Sequence, residues 1–192
     1  MLTYTLNKII KTFQIALFLS LGFIFSREFV ITPLQIVLLL FANDFIMMSI
    51  ATDRVSASSK PDRWNIFSLM RMALILALHV LLLSFGFFYT ARNLLHLPLE
   101  QLQTLMFVML VFTGQANVYL VRERHRFWNS VPSRWMLLDT LIDFVLVSIL
   151  ASQGILLTAI PFSLILITLL VVVLYLILVD GLKIKVFQLA HF

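Results

Sequence analysis

The sequence predicts an all-α membrane protein with six transmembrane helices, on three observations. Its 192 residues are 61% hydrophobic and 12% charged, with a mean hydropathy of +1.04, whereas soluble domains are about 45–50% apolar and about 25% charged. The apolar residues form six runs, each close to the length of about 20 residues with which a helix crosses a bilayer. The basic residues are concentrated in alternate connections between these runs, which is typical of a chain that crosses the membrane repeatedly.

The six runs cover residues 9–25, 33–52, 67–90, 99–121, 135–151 and 155–179, with limits good to a few residues. The first two form a tight hairpin. Lys8 and Lys11 before a short apolar stretch are also typical of a signal peptide, but no small-residue cleavage site follows, so we interpret the first run as a span. Six spans of about 20 residues use about 120 positions. We therefore predict one membrane domain over residues 1–192 and no soluble domain.

The basic residues also predict the orientation of the chain. Of the 14 Lys and Arg residues, 12 lie near the N-terminus, around the second and fourth connections, or in the C-terminal tail. Arg27 and Arg92 are on the other side. By the positive-inside rule, both termini are predicted to be cytoplasmic. Trp64, Trp128 and Trp135 lie near the same ends of the spans, where amphipathic rings favour the membrane interface.

Several classes of chemistry are excluded by what the sequence lacks. There are no cysteines, so disulfides, thiolate metal sites and thiol nucleophiles are absent. No G-x-G-x-x-G, G-x-x-x-x-G-K, G-x-S-x-G or His-Glu-x-x-His pattern occurs, so we expect no catalytic residue, metal site or cofactor in this chain. The basic residues sit in short connections rather than on one patch, which does not favour nucleic acid as a partner.

Asp44 is predicted to lie near the middle of the bilayer. It follows Pro33 by eleven residues and precedes Asp53 by nine, which is about 16 Å and about 13 Å along a helix. A carboxylate at that depth costs about 2.5–3.5 kcal/mol on insertion scales, so it needs a partner, a proton or a function. Asn43 beside it can donate to the carboxylate or bind an ion through its oxygen. We predict that Asn43 and Asp44 bind the ion in a transporter; the alternative is that Asp44 only hydrogen-bonds neighbouring helices.

The first span carries two further candidates for the ion pathway or for a counter-ion. Lys11 and Gln14 are three positions apart and therefore lie on nearby helical faces. Lys11 is expected either to reach back to the cytoplasmic interface or to pair with Asp44.

The fourth and fifth spans supply the remaining candidates. Gln115 and Asn117 are two positions apart and lie on different faces, so one of them is expected to face the bundle interior. Asp143 shares a face with Asp139 and lies about 13 Å beyond Arg134 along the helix. Asp143 is thus a second candidate ion ligand, and simple pairing with neighbouring helices is an equally good interpretation.

The second span resembles a known family. Residues 40–55 (LFANDFIMMSIATDRV) and residues 60–64 (KPDRW) are similar to the sixth transmembrane helix and following loop of P-type ATPases of the plasma-membrane proton-pump class, whose pattern is Leu-Asn-Asp-Gly, Ile-Met, Ile-Ser, Asp-Arg-Val and then Pro-Asp-x-Trp. Tyr4-Thr5 resembles the start of the fifth helix, and the Gln115 region with Arg122 and Arg124 resembles the end of the eighth. The resemblance covers essentially all 192 residues as helices five to ten, and it is sharpest over residues 40–64.

The resemblance implies that Asp44 takes up the transported proton, with Asn43 beside it. Two positions depart from the family pattern. Phe45 replaces the glycine after the aspartate, which restrains local unwinding of the helix. The arginine that serves the family as an internal counter-ion falls at the neutral Gln14, with Lys11 one turn earlier as its replacement.

The family couples ion movement to phosphorylation of the aspartate in Asp-Lys-Thr-Gly, within domains that precede helix five, and that motif is absent here. The resemblance therefore implies the ion-pathway portion of a cation pump of the plasma membrane, with the proton as its cation. Its expected partners are the lipid bilayer and the missing N-terminal half of the pump, without which it hydrolyses no ATP. Two alternatives stay open: a non-catalytic membrane scaffold or partner subunit, and an independent six-helix transporter.

Overall fold

Six long helices make up the part of the chain that the structure describes. The computed structural model describes residues 2–53, 66–123 and 125–189. The helices are α1 (Leu2–Ser26), α2 (Pro33–Ser49), α3 (Ile66–Asn93), α4 (Leu99–Arg122), α5 (Arg134–Gln153) and α6 (Phe162–Leu189), and a 3-10 turn at Ile50–Thr52 extends α2. All six are long and apolar enough to cross a membrane, which confirms the predicted fold class. The family-like residues 54–55 and 60–64, together with Arg124, lie outside the described residues.

Two helix starts are fixed by local chemistry. At α2, the Thr32 hydroxyl accepts from the backbone N–H of Gln35 and the Gln35 side chain accepts from the backbone N–H of Thr32, with Pro33 in the first turn. This reciprocal cap satisfies amide groups that a helix end otherwise leaves unpaired. At α5, the Ser133 side chain accepts from the backbone N–H of Met136.

The last helix is displaced along the chain from the predicted span at residues 155–179, because it begins at Phe162 and ends at Leu189. Gly154 ends α5 in the left-handed conformation, with φ of 71°, which a glycine adopts without steric cost. The chain is then irregular up to Pro161, whose ring cannot continue a helix from the residues before it. The stretch at residues 155–161 is thus apolar without being helical.

The helix α4 is the centre of the bundle. In an apolar stretch of 18 residues, 94% of its positions are buried, whereas the other five helices bury 22–39% of theirs. It packs against each of the other five, which form an arc around it in the order α1, α3, α6, α5, α2. The two ends of this arc, α1 and α2, do not pack backbone to backbone and contact each other through side chains. We call the space between them the α1–α2 gap.

The helices alternate in direction, so α1 begins and α6 ends at the same end of the bundle, which we call the terminal end.

Buried ion pairs hold this end together. Arg122 donates through Nε and Nη2 to the two carboxylate oxygens of Asp53, at 2.9 and 3.1 Å, and through Nη1 to the Ser130 carbonyl. The backbone N–H of Ser133 also donates to Asp53. These bonds join the end of α2 to the end of α4 and the start of α5.

Candidate ion site

The centre of the site is a contact between α1 and α2. Lys11 Nζ donates to Asn43 Oδ1 at 2.7 Å, and the two residues are only 5% and 8% exposed. Lys11 therefore does not reach back to the interface, as one interpretation of the sequence had it, and its direct partner is Asn43 rather than Asp44. Burial removes the ammonium from water, which is costly unless the charge is hydrogen-bonded or paired.

Gly114 of the central helix forms the wall behind this contact. A Cβ atom at position 114 would lie 2.7 Å from Asn43 Oδ1 and 3.2 Å from Lys11 Nζ. Any larger residue would push against the hydrogen-bonded pair. The glycine thus brings the backbone of α4 up to the site, and we call Lys11, Asn43 and Gly114 the lysine layer.

Gln14 lies one turn further into the membrane from Lys11 and ties three helices together. Its Nε2 donates to Ser84 Oγ of α3 at 3.2 Å and to Thr113 Oγ1 of α4 at 3.1 Å. It is only 2% exposed. Its amide is occupied by these hydroxyl groups, so the structure places it in the framework around the lysine layer.

Asp143 of α5 is held by Gln115, the residue that follows Gly114 on α4. Gln115 Nε2 donates to Asp143 Oδ2, and Gln115 Oε1 accepts from Thr140 Oγ1 at 3.1 Å. The Thr140 hydroxyl also contacts Tyr119 Oη at 2.8 Å. Asp143 is 4% exposed. Lys11 and Asp143 are therefore both buried, and each is hydrogen-bonded to a side-chain amide of another helix.

Asp44 has a different environment from its neighbour Asn43. Its side chain is 63% exposed and its contact is Lys8 Nζ, at 3.5 Å. It opens onto a pocket of about 680 Å³ lined by Tyr4, Asp44, Met47, Met48, Ile50 and Ala51. Successive helical residues point about 100° apart, so Asn43 turns into the bundle while Asp44 faces the α1–α2 gap.

The structure thus gathers five of the six candidate residues in the bundle interior and leaves one on its open side. Sequence reasoning missed Gly114, whose signal was a lone glycine among the polar residues of the fourth span. It also missed Asn7, because the first span was started at residue 9 whereas α1 begins at Leu2. No cluster of three or more potential metal ligands occurs in the described part of the chain.

Comparison with known proteins identifies the class. No protein-family model matches the chain. The chain is 30% identical over 163 residues to a putative cation-transporting ATPase of Methanocaldococcus jannaschii, covering 84% of this chain and 20% of that protein. It is 24% identical over 127 residues to a probable plasma membrane ATPase of Dictyostelium discoideum, and 26% identical over 144 residues to plasma membrane ATPase 1 of Candida albicans. These two matches cover 62% and 71% of this chain, and 12% and 15% of the relatives.

The chain is therefore a multi-pass membrane protein related to ion-pumping ATPases. More specifically, it is a homologue of the P-type cation-transporting ATPases, and its six apolar helices fit the C-terminal transmembrane part of such a protein. This confirms the resemblance seen in the sequence. The chain spans a fifth or less of the length of these relatives.

Proposed function

We propose that the chain is the ion-pathway portion of a P-type cation pump that moves protons across the plasma membrane. The observation that carries the proposal is the lysine layer, in which Lys11 and Asn43 are hydrogen-bonded to each other and buried against Gly114. Ionisable groups inside a membrane bundle are costly and are typically found where an ion passes.

The resident ammonium is the reason for proposing a proton rather than a metal ion. Lys11 occupies Asn43 Oδ1, the kind of oxygen that would otherwise bind a metal cation. A metal ion entering this layer would meet the Lys11 ammonium, whenever that group is protonated, at short range in a medium of low dielectric constant. A carboxylate that takes up a proton becomes neutral, so a proton can be bound near Lys11 without a second cation.

Asp44 is our candidate for the proton-binding carboxylate, with Asn43 as its neighbour on the helix. Its exposure in the α1–α2 gap supports the idea that further helices of the pump cover it. We infer that these helices, and the phosphorylation and nucleotide-binding domains, belong to the N-terminal half of the pump. From the distribution of basic residues, we place the terminal end in the cytoplasm.

The test uses the chain assembled with the N-terminal half. In inside-out vesicles, Asp44→Asn should abolish ATP-dependent proton uptake, because the amide keeps the size of the side chain but cannot gain and lose a proton near neutral pH. The amount of folded complex should be unchanged. The control is Glu100→Gln, which alters an exposed carboxylate at the start of α4, and which should retain proton uptake.

Wild-type uptake per folded Asp44→Asn complex would refute the role of Asp44 and leave Asp143 as the better candidate. ATP-independent flux through the chain alone would favour an independent transporter. Absence of any flux from a fully assembled wild-type complex would favour the scaffold.

A second experiment tests the role of Lys11. Lys11→Gln keeps a donor for Asn43 Oδ1 and removes the positive charge. In the assembled pump, we expect Na⁺ or K⁺ to compete with protons in this variant and not in the wild type. If Na⁺ and K⁺ affect proton uptake in neither the variant nor the wild type, the proposed exclusion of metal cations is contradicted.

A further inference from the structure

A second buried polar layer lies one helical turn from the lysine layer, on the side of the terminal end. Asn7 precedes Lys11 by four residues on α1, Met47 follows Asn43 by four on α2, and Asn117 follows Gly114 by three on α4. We call Asn7, Met47 and Asn117 the amide layer. The two layers thus stack along the same three helices.

The amide layer has more hydrogen-bonding groups than its protein partners satisfy. Asn117 Nδ2 donates to Asn7 Oδ1 at 2.6 Å, and Asn7 Nδ2 contacts Met47 Sδ at 2.8 Å. A thioether is a weak acceptor. Asn117 Oδ1 is buried and has no hydrogen-bond partner among the described residues. Asn7 and Asn117 are 0% and 1% exposed, so this oxygen is well inside the bundle.

Exchanging the nitrogen and oxygen positions of both side-chain amides still leaves one buried polar atom without a partner. If both are turned by 180°, Asn7 Nδ2 donates to Asn117 Oδ1, and then Asn117 Nδ2 is left unpaired while Asn7 Oδ1 faces the sulfur. An unpaired buried polar group costs about 1–3 kcal/mol. Such groups in folded proteins are usually satisfied by an ordered water molecule.

We propose that the amide layer is a water-binding site, and that it forms the hydrated step between the terminal end and the lysine layer. A water molecule here accepts from the Asn7 amide and donates to Asn117 Oδ1. The role in ion access rests on the proposed function, whereas water binding itself does not.

Val118, the next residue of α4, lies in a different environment from Asn117. Val118 is 0% exposed and packs in an apolar cluster with Ile46, Met47 and Met136. Asn117 and Val118 therefore lie at the same depth, one beside unsatisfied amide groups and the other among apolar side chains. Water is expected next to the first and excluded from the second.

The absence of natural cysteines allows a direct test. Asn117→Cys and Val118→Cys are made singly in the full chain, and a small charged methanethiosulfonate is added to membrane vesicles on the side of the terminal end. Only a thiolate that water and the reagent can reach is modified. We expect position 117 to be labelled at least about tenfold faster than position 118. Equal rates, or protection of both, would overturn the proposal.

Asn7→Cys keeps the test decisive if Asn117→Cys does not fold, because it places a thiol on the other side of the same layer. It should be labelled as Asn117→Cys is, and slow labelling would likewise count against the site. Labelling requires no transport, so fast labelling in a chain whose assembled complex moves no protons would refute the proposed function and keep the water site. Proton uptake by the assembled wild type, together with slow labelling at both Asn positions, would refute the water site and keep the proposed function.

Discussion

Asp44 and Asp53 lie nine residues apart on one continuous segment, yet their surroundings are opposite. The Asp53 side chain is 4% exposed and holds Arg122 through two hydrogen bonds. Asp44 is 63% exposed and has a single long contact with Lys8, which is itself 55% exposed. One carboxylate is fixed in place by its partners, and the other is free to change partners.

The difference separates the part of α2 that is anchored from the part that is available for chemistry. At the terminal end, Asp53 is committed to Arg122 and to the Ser133 backbone. Ten residues back along the chain, which is nearly three helical turns, the same helix presents Asn43 to the lysine layer and Asp44 to the α1–α2 gap. We infer that the Asp53 anchor fixes the height of α2 and so the position of Asn43 against Lys11.

The largest effect on stability is expected from Arg122→Met. This substitution leaves the Asp53 carboxylate buried without its cation, and breaking a buried pair in this way costs about 3–5 kcal/mol. Unfolding of the purified chain in detergent, followed by circular dichroism, should show the loss. The double variant Arg122→Met with Asp53→Asn should recover part of it, because no unpaired charge remains. A single variant as stable as the wild type would mean that Asp53 is not an anchor.

An intermediate effect is expected from Gly114→Ala, which acts on the inner face of α2. The added methyl group would lie 2.7 Å from Asn43 Oδ1, and overpacking of this kind costs about 1–3 kcal/mol. The matched control is Gly86→Ala in α3, where an added Cβ meets no atom within 4 Å. The same unfolding measurement should rank Gly114→Ala well below Gly86→Ala. Equal stability of the two variants would show that the side chains of the lysine layer move at little cost to make room for the added methyl group.

The smallest effect is expected from Lys8→Met, at the open face of α2. Exposed ion pairs contribute about 0–1 kcal/mol in water, and both partners here are more than half exposed. The chain should therefore unfold almost as the wild type does. A loss of stability above about 2 kcal/mol would show that the Lys8–Asp44 pair also holds α2 in place, so that Asp44 would no longer differ from Asp53 in this respect.

The sequence predicted six helices long and apolar enough to cross a membrane, because the length and composition of an apolar run can be read directly from the chain. It also contained the signals for the late start of α6, a glycine at 154 and a proline at 161. The prediction followed the apolar residues between Gly154 and Pro161 instead. In the structure these residues form an irregular connection.

The rotation of each helix could not be predicted in the same way. Spacing along the chain gives the depth of Asn43 and Asp44, but both faces of a membrane helix are apolar, so the pattern does not say which residue points inward. The same ambiguity left open which of Gln115 and Asn117 faces the interior, and in the structure both are buried because α4 is surrounded by helices. Such contacts depend on packing between distant spans.

The central place of α4 also has a consequence for biosynthesis. Helices enter the membrane in chain order, so α1 to α3 are synthesised before the helix that supplies the wall for Lys11 and a hydroxyl partner for Gln14. Until α4 arrives, these polar side chains face lipid or one another. A nascent chain stopped after α3 is therefore expected to be degraded faster than one stopped after α4, and pulse-chase measurements on the two truncations would show whether the fourth helix is the point at which the bundle becomes stable.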